Sequence, residues 1–468
     1  MDKQENGMDR EDSEKLVNEL GVTVLSKVGK TAVEKSKFYN ARLALIREAV
    51  LNTLCTVTRE TTETLHCVDA VAGTGVTGLQ WKLKLKNSVH VTIAEKEHIV
   101  EVQSNCNRNK ISNSTLPLDI SRVPGDPMTP QGENEVHTCK CTAPVLLNME
   151  AFDFVYLNPQ SNTACHIDAV MTNIRSNGVL CLVSTDSTHH FTRSAVSVRR
   201  HFGATVTKTE YLKELAARVI IGSIVRAAAK CNKGVEVLYV LFVEDFFLVA
   251  VKVERGPKLA DSCMEQMRCL LHCQMCEERV FYPVSITPTE HPYKLLPCRC
   301  HDDTPGRTAL VLGPMWSGQL FNFEFLSKNL IRCTEEKFSK KLHNIWSVML
   351  DEVECSRCIS NSDSNSTGEP CPKRKRIGGS DVPQESTEAR SNPEPMPPFY
   401  YNILRRKWKG INFPKYPVLL DLLRREGHRA SRTHFDFGGI RTSASLADIT
   451  LILTNHCQQH QQNNVPAV

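Results

Sequence analysis

The sequence contains no apolar run long enough to cross a membrane as a helix. Its most apolar stretch, residues 235–256, is interrupted by Glu244 and Asp245. Each arm is shorter than the roughly 20 residues that a spanning helix needs, so the stretch predicts two strands or a hairpin. The first 15 residues are charged and hold no apolar segment, so we expect no secretory signal. These absences predict a protein without a membrane partner.

The chain also has little net charge and no sign of an oxidising environment. Lys and Arg exceed Asp and Glu by 5 over 468 residues, so the distribution of charge carries more information than its total. Nineteen cysteines without a signal peptide favour reduced thiols or metal ligands over disulfides. Internal repeats are absent, and the length predicts two to three domains of about 150 residues each.

Alternating strand and helix patterns predict an α/β domain with a doubly wound parallel sheet. A helix is predicted over 38–55 and another over 208–230, whereas the Pro-, Asp- and Asn-rich segment 113–140 predicts a long loop. The predicted strands are 65–71, 89–94, 152–157, 178–184 and 235–253.

Composition changes divide the rest of the chain. The predicted order is a weakly ordered segment 1–35, the α/β domain 36–260, a cysteine-rich zinc module and linker 261–350, a disordered linker with a basic cluster 351–398, a basic α+β domain 399–457 and a tail 458–468.

A glycine-rich loop, Gly73-x-Gly75-x-x-Gly78, follows the first predicted strand and precedes a helix. Glycine permits the tight turn and the close approach of backbone to a ligand. Asp69 lies inside the preceding strand, and Glu95 ends the next one, where a carboxylate accepts hydrogen bonds from ribose hydroxyls. This order of elements predicts a cofactor site, and both NAD and S-adenosylmethionine fit it.

The segment FVYLNPQSN, residues 154–162, predicts a strand that ends at Asn158-Pro159. Ligands bind at the carboxyl ends of strands in α/β proteins, so this turn is a candidate active site. Asn-Pro at the end of the fourth strand is also the pattern of amine-directed methyltransferases, which favours S-adenosylmethionine over NAD. The alternative interpretation is a turn that only terminates the strand.

Four cysteines have the spacing of a structural zinc site. Cys273-x2-Cys276 and Cys298-x-Cys300 are 21 residues apart, and four thiolates complete a tetrahedral Zn²⁺ site. His272 and His301 are alternative ligands, and buried or free thiols are the alternative to metal binding.

Positive charge is concentrated near the C-terminus. Residues 399–434 contain nine Lys or Arg against two Asp or Glu, with aromatic residues between them. Such a surface binds phosphates and stacks bases, although a solvated basic face has the same composition. Pro372-Lys373-Arg374-Lys375-Arg376 in the linker predicts a nuclear localisation signal or a second RNA contact.

Several long segments resemble the tRNA (guanine-N2) dimethyltransferase family, and within it the tRNA methyltransferase 1-like branch. The resemblance covers about residues 36–455. It is carried by KFYNARLALIRE, TEYLKELAARVIIGSIVRAAAKCNKGVEVL, LLHCQMCEERVF, YKLLPCRCH, PPFYYNI and SRTHFDFGGIRTSAS.

The resemblance implies a class I methyltransferase (Rossmann-like) domain, a zinc module and a tRNA-binding C-terminal domain in a nuclear or nucleolar monomer. It implies that S-adenosylmethionine transfers methyl to the exocyclic N2 amine of a guanosine in tRNA, with Asn158 and Pro159 as catalytic residues. The implied cofactor residues are Arg47, Asp69, Gly73, Gly75, Gly78, Glu95, Thr142 and Ala143. The implied RNA-binding residues are Arg405, Arg406, Lys407, Trp408, Lys409, Arg424, Arg425 and Arg441.

The chain departs from the family pattern at three places. Asn158-Pro159-Gln160-Ser161 replaces Asp-Pro-aromatic-Gly, Thr142-Ala143 replaces Asp-Ala, and 442–445 reads TSAS where TDAP is usual. Asn158 keeps the acceptor oxygen of the family's Asp but lacks its charge. Gln160 stands where the family has an aromatic ring that would stack on the target base. The second hypothesis is therefore a tRNA-binding protein that keeps the fold and has lost most catalysis.

Overall fold

In the computed structural model, a parallel sheet closed by a long antiparallel hairpin forms the centre of the protein. The structure describes residues 14–27, 39–118, 131–159, 163–184, 191, 194–283, 292–304, 306, 308–356, 398–406, 408 and 413–463. The first ten strands are β1 (Glu14–Glu19), β2 (Val22–Lys27), β3 (Leu65–Asp69), β4 (Val89–Ala94), β5 (Ser112–Thr115), β6 (Glu135–Cys139), β7 (Phe154–Leu157), β8 (Gly178–Ser184), β9 (Lys233–Val243) and β10 (Phe246–Arg255).

Eight of these strands form the central sheet in the order β5-β6-β4-β3-β7-β8-β10-β9. Pairing is parallel from β5 to β8, and β10 is antiparallel to both of its neighbours. The strand order reverses direction between β3 and β7, which makes their carboxyl ends the expected ligand crevice of a doubly wound fold. The predicted fold class is confirmed, and so is the hairpin predicted at 235–256.

Helices connect and cover the strands. The helix Leu212–Lys230 is buried along most of its length, as its apolar pattern predicts. The helices of this part are α1 (Ala44–Arg59), α2 (Val76–Leu85), α3 (Ile99–Arg108), α4 (Ala143–Met149), α5 (Ala164–Asn173), α6 (Ala195–Phe202), α7 (Leu212–Lys230) and α8 (Pro257–Glu265). Across the described ranges, no helix combines the length and the apolar character that a membrane span requires.

The outer edge of β9 is covered by side chains and a loop. The Cys263 thiol lies 3.3 Å from the N–H of Val235 and donates to the carbonyl of the same residue at 3.4 Å. The N–H of Asn322 donates to the Leu238 carbonyl at 2.9 Å. Three backbone groups at the outer edge of this strand are therefore bonded within the chain.

A three-stranded sheet follows the central domain and carries the cysteine-rich turn. It is formed by β11 (Met267–Cys273), β12 (Arg279–Phe281) and β13 (Ala309–Trp316), with the short helix α9 (Cys300–Asp303) beside it. The C-terminal domain contains β14 (Tyr401–Asn402), α12 (Tyr416–Arg425), β15 (Ala430–Arg432), β16 (Gly439–Thr442) and α13 (Leu446–Asn463). It has its own apolar cluster, centred on residues such as Leu419, Ile440 and Leu453.

Two predicted boundaries are wrong because helices continue through them. Residues after the cysteine-rich module are not a linker: α10 (Phe323–Glu335) and α11 (Lys340–Ser356) pack on the central α/β domain. Asn329 of α10 accepts from Thr56 of α1 at 2.6 Å, and the ring of Trp346 of α11 packs 4.9 Å from that of Tyr239. The predicted linker therefore starts too early, and α13 extends into the predicted tail.

Two segments predicted to lack regular structure contain strands. Within 1–35, the structure shows the β1–β2 hairpin, and Val22 and Val24 are fully buried although the surrounding sequence is charged. Within 113–140, it shows most of β5 and all of β6, where Val136, His137 and Thr138 are buried. Polar residues in a buried strand conceal the apolar pattern by which a strand is recognised.

Candidate active site and metal centre

The glycine loop lies between the carboxyl ends of β3 and β4. Gly73 and Gly75 have φ of +56° and +77°, in the left-handed region that other residues rarely adopt. A Cβ on Gly78 would approach Ile93 to 2.8 Å, so this glycine lets α2 pack closely on the sheet. Gly73 and Gly75 therefore form the turn, and Gly78 allows the close packing of α2 on the sheet.

Glu95 is held at the edge of this loop by backbone groups. Its Oε2 accepts from the N–H of Gly73 at 2.8 Å, and its Oε1 accepts from the N–H of Glu97 at 3.1 Å. Each carboxylate oxygen accepts at least two hydrogen bonds, so acceptor capacity remains for ribose hydroxyls. This geometry fits the predicted role of Glu95.

Asp69 is buried below the loop. Its Oδ2 accepts from the N–H of Gly78 at 3.3 Å, while its Oδ1 is buried without a hydrogen-bond partner among the described residues. Burial raises the pKa of the Asp69 carboxyl to about 7, although the Gly78 N–H opposes the shift. An unsatisfied buried oxygen beside a glycine loop is the kind of acceptor that a ligand donor would satisfy.

Thr142 and Ala143 occupy the neighbouring strand end. The carbonyl of Thr142 accepts from Val145 and Leu146 at the start of α4, and Ala143 is buried. This loop is joined to β4, because the N–H of Glu95 donates to the Cys139 carbonyl at 3.1 Å. The implied cofactor residues Thr142 and Ala143 therefore follow the strand end that is bonded to the backbone of Glu95.

Asn158 follows β7 at the same edge of the sheet. Its Oδ1 is buried and has no hydrogen-bond partner in the part of the chain that the structure describes. Strand β7 pairs with β3 so that Tyr156 lies opposite Asp69. The turn at Asn158 therefore begins two residues beyond the position opposite Asp69. Gln160 lies outside the described residues, whereas Asn158 presents the acceptor oxygen that the proposed chemistry needs.

Arg47 is buried on α1 and is bound by a residue that the sequence analysis missed. Its Nε donates to Oε1 of Glu19 at 2.7 Å, and its Nη1 donates to the Asn40 carbonyl at 3.1 Å. Glu19 ends β1, in the segment predicted to be weakly ordered. No local pattern marks an isolated Glu in a charged segment as a partner of Arg47, so this pair was not recognisable.

The predicted four-cysteine cluster is confirmed and is compatible with a structural zinc ion. The Sγ atoms of Cys273, Cys276, Cys298 and Cys300 all lie within 4.8 Å of one another. Tetrahedral Zn²⁺ with Zn–S near 2.3 Å requires sulfurs about 3.8 Å apart, so small adjustments complete the site.

The two alternative histidine ligands are bonded elsewhere. His272 Nδ1 lies 2.6 Å from the Tyr211 hydroxyl, and His301 Nε2 lies 3.1 Å from Asp302. Among the described residues, the cluster of candidate metal ligands consists of the four cysteines, which would fill a tetrahedral site without an open position.

Three predicted RNA contacts are instead structural. Arg441 is 4% exposed and its Nη2 lies 2.8 Å from Glu214 and 2.7 Å from Glu352, so its prediction is wrong. The Nη1 of Arg406 donates to the Cys276 carbonyl, and the ring of Trp408 packs in the C-terminal domain while its Nε1 donates to Ile403. A charge count cannot distinguish a basic residue on the surface from one paired with a buried carboxylate.

The structure describes only some of the other residues that are predicted to contact RNA. Arg405, Arg424 and Arg425 are exposed on the C-terminal domain. Lys407, Lys409 and the basic cluster 372–376 lie outside the described residues.

A buried ion network joins the C-terminal domain to the rest of the protein. Glu352 on α11 is bound by Arg441 and His434, and Glu214 on α7 is bound by Arg441 and Arg218. Burial alone would raise the pKa of Glu352, but Arg441 and His434 hold it down at about 2. Because each charge is paired, removing one partner would leave a costly uncompensated charge.

Comparison with known proteins places this arrangement in a family. The family model for N2,N2-dimethylguanosine tRNA methyltransferases matches residues 17–366. A mouse tRNA (guanine(27)-N(2))-dimethyltransferase is 35% identical over 443 residues, covering 90% of this chain and 60% of that protein. The chain thus spans about 60% of the length of its mammalian relatives.

Archaeal proteins match over nearly their full length. A tRNA (guanine(26)-N(2))-dimethyltransferase from Methanobrevibacter smithii is 24% identical, covering 89% of this chain and 90% of that protein. The solved structure of Trm1 from Pyrococcus horikoshii with S-adenosyl-L-methionine superposes with a TM-score of 0.67 at 19% identity, covering 94% of this chain and 99% of that one. The likeness extends through the C-terminal domain and supports the same fold.

Proposed function

The chain belongs to the N2,N2-dimethylguanosine tRNA methyltransferase family, and we propose that it transfers methyl from S-adenosylmethionine to the N2 amine of a guanosine in tRNA. The observation that carries the proposal is the meeting of three features at one sheet edge. These are the glycine loop, the Glu95 carboxylate and the unpartnered Oδ1 of Asn158.

This arrangement suits an amine that is a poor nucleophile. The lone pair of the guanine N2 amine is delocalised into the ring, so the amine needs orientation toward the methyl group. The Asn158 Oδ1 accepts a hydrogen bond from the amine and stabilises positive charge that develops as the bond forms. When bound, the cofactor would supply the methyl as its methyl–sulfur bond breaks and S-adenosylhomocysteine leaves, and Glu95, Asp69 and the glycine loop would hold its nucleoside and methionine parts.

We further propose guanine 27 as the target. The mammalian relatives at 34–35% identity act at guanine 27 by name, whereas the archaeal relatives at 23–24% identity act at guanine 26. Higher identity over a similar stretch of this chain favours position 27. The relatives' names imply that two methyl groups are added.

Methyl transfer from labelled cofactor to total tRNA, followed by nucleoside analysis, tests the activity. Wild-type protein should produce N2-methylated guanosine, and a transcript with adenine at 27 should lose the signal while one with adenine at 26 retains it. Binding of tRNA without any labelled product would favour the alternative, a tRNA-binding protein that retains the fold. Signal lost only from the adenine-26 transcript would reject position 27.

We propose that Arg405, Arg424 and Arg425 contact tRNA phosphates, because their side chains are exposed on the C-terminal domain. Replacing Arg424 and Arg425 with Gln should weaken tRNA binding and lower the slope of log K against log salt by about 0.9 per lost contact to duplex. Replacing the exposed Lys258 and Lys337, elsewhere on the protein, should change neither value. Equal salt slopes in all variants would locate the RNA surface elsewhere.

We also propose a nuclear protein that is targeted by residues 372–376 and acts as a monomer. A fluorescent fusion should leave the nucleus when Lys373, Arg374, Lys375 and Arg376 become Ala. Light scattering should give the mass of one chain.

A further inference from the structure

The carboxylate of Glu19 is the centre of a buried hydrogen-bond cluster at the N-terminal hairpin. Its Oε1 accepts from Arg47 Nε at 2.7 Å and from Gln80 Nε2 at 2.9 Å. Its Oε2 accepts from Arg47 Nη2 at 2.5 Å and from the Tyr39 hydroxyl at 2.7 Å. One side chain of β1 therefore holds residues of α1 and α2 and the segment before α1.

The pairing fixes the plane of the Arg47 guanidinium and leaves part of it available. The Nε and Nη2 atoms form a bidentate pair with Glu19, and Nη1 donates once to Asn40. A guanidinium has five N–H groups, so two have no acceptor among the described residues, one on each terminal nitrogen. Such a pair matches the two oxygens of a carboxylate.

Arg47 lies within electrostatic reach of the strand ends that form the candidate active site. Burial raises the pKa of both Tyr156 and Asp69, and the Arg47 guanidinium opposes the rise in each. Tyr156 lies opposite Asp69 in the β3–β7 pairing, and its hydroxyl is buried without a partner among the described residues. Gln80 of α2, the helix that follows the glycine loop, shares the Glu19 carboxylate with Arg47, so the oriented cation is bonded through Glu19 to the element that begins at the cofactor loop.

The same hairpin is bonded to the glycine loop through a second side chain. The Oδ1 of Asn105 accepts from the N–H of Leu25 on β2 at 2.8 Å, and its Nδ2 donates to the Thr74 carbonyl at 3.0 Å. Asn105 is fully buried, so this amide links hairpin and loop without intervening solvent. The hairpin thus touches the cofactor loop on one side and Arg47 on the other.

We propose that Glu19 is a positioning residue of the cofactor site, which orients the two remaining N–H groups of Arg47 toward the carboxylate of the methionine part of S-adenosylmethionine. The inference rests on the proposed function for the identity of this ligand. A rigid cation offered in a preset direction binds a carboxylate without the cost of ordering a free side chain.

Glu19→Gln tests the proposal because it keeps the shape and removes the charge. We expect the KM for S-adenosylmethionine to rise about tenfold, the effect of one lost charge-assisted hydrogen bond, while kcat at saturating cofactor changes less than about twofold. Glu19→Asp, which retains the charge, should recover part of the loss. Lys15→Gln on the exposed part of the same hairpin is the matched control and should match the wild type.

A double-mutant cycle separates positioning from a general structural role. In an Arg47→Gln background, Glu19→Gln should weaken binding of S-adenosylhomocysteine, measured by calorimetry, by less than about twofold. The proposal is overturned if Glu19→Gln weakens S-adenosylhomocysteine binding about tenfold even when Arg47 is already Gln. It is also overturned if kcat of Glu19→Gln falls by the same factor as KM rises. If Glu19→Gln does not fold, the same double-mutant cycle with Arg47→Gln is measured with Glu19→Asp and with Tyr39→Phe.

The proposed function is judged from the wild type in the same experiments. A wild-type protein that binds neither S-adenosylmethionine nor S-adenosylhomocysteine contradicts the proposed function. A wild type that binds, together with a Glu19→Gln variant that binds equally well, contradicts only the role of Glu19.

Discussion

Removing the metal should loosen the C-terminal domain at its junction with the cysteine-rich turn. The turn that carries Cys276 meets this domain beside the Arg441 ion network: the Cys276 carbonyl accepts from Arg406 at 3.0 Å, and Arg279 Nη2 donates to the Tyr400 carbonyl at 3.0 Å. Glu278 accepts from the Tyr401 hydroxyl and from the N–H of Leu446, both at 3.2 Å. A metal that fixes this turn therefore also fixes the surface on which the C-terminal domain rests.

We expect chelated protein or Cys276→Ser to melt about 10 °C lower and to bind tRNA at least tenfold more weakly, because a structural metal contributes directly to folding. Cofactor affinity should change little, since the glycine loop lies on the central sheet. Elemental analysis should find about one zinc per chain in untreated protein. Cys269→Ser, on the strand β11 that leads into this turn but outside the cluster, is the control.

An unchanged melting temperature in the metal-free protein would show that the four thiols need no ion. Loss of tRNA and cofactor binding together would show that the module supports the whole fold rather than one domain junction.

Replacing Asn158 with Ala should slow single-turnover methylation of a cognate tRNA by about 10²- to 10³-fold, the usual cost of removing one preorganised group that stabilises developing charge. The Oδ1 atom that would be lost is buried and unpartnered within the described ranges, so none of the described groups depends on it. Cofactor affinity should stay near the wild-type value.

Asn158→Asp sharpens the experiment because it keeps the acceptor and adds charge. A charge-assisted hydrogen bond is roughly twice as strong as a neutral one, so this variant should react at the wild-type rate or faster. Asn148→Ala, which alters an exposed amide on α4, is the control. If Asn158→Ala methylates tRNA at the wild-type single-turnover rate, the Asn-Pro segment is only a turn that ends the strand.

The sequence predicts the central sheet well because its signals are local. Gly73, Gly75 and Gly78 are marked by spacing, and the strand before them is apolar. The four metal-binding cysteines are likewise recognisable, because two close pairs at a suitable separation form a pattern by themselves. Such features depend little on how distant parts of the chain meet.

Features that depend on distant partners were not predictable. Glu19 is one acid in a charged segment until the fold places it against Arg47. Arg441 lies in the domain predicted to be basic, yet two carboxylates more than 85 residues away enclose it. Burial of a charge depends on its partner, and pairing across the chain has no signature in a single sequence.

The covered edge of β9 has a consequence for self-association. An exposed edge strand is a template onto which a second chain can add and propagate aggregates. Here Val235 directs both backbone groups to the Cys263 thiol, and Leu238 accepts from Asn322. Three outward backbone groups of the long apolar hairpin are therefore unavailable for strand addition by another molecule, which interrupts the edge as a template.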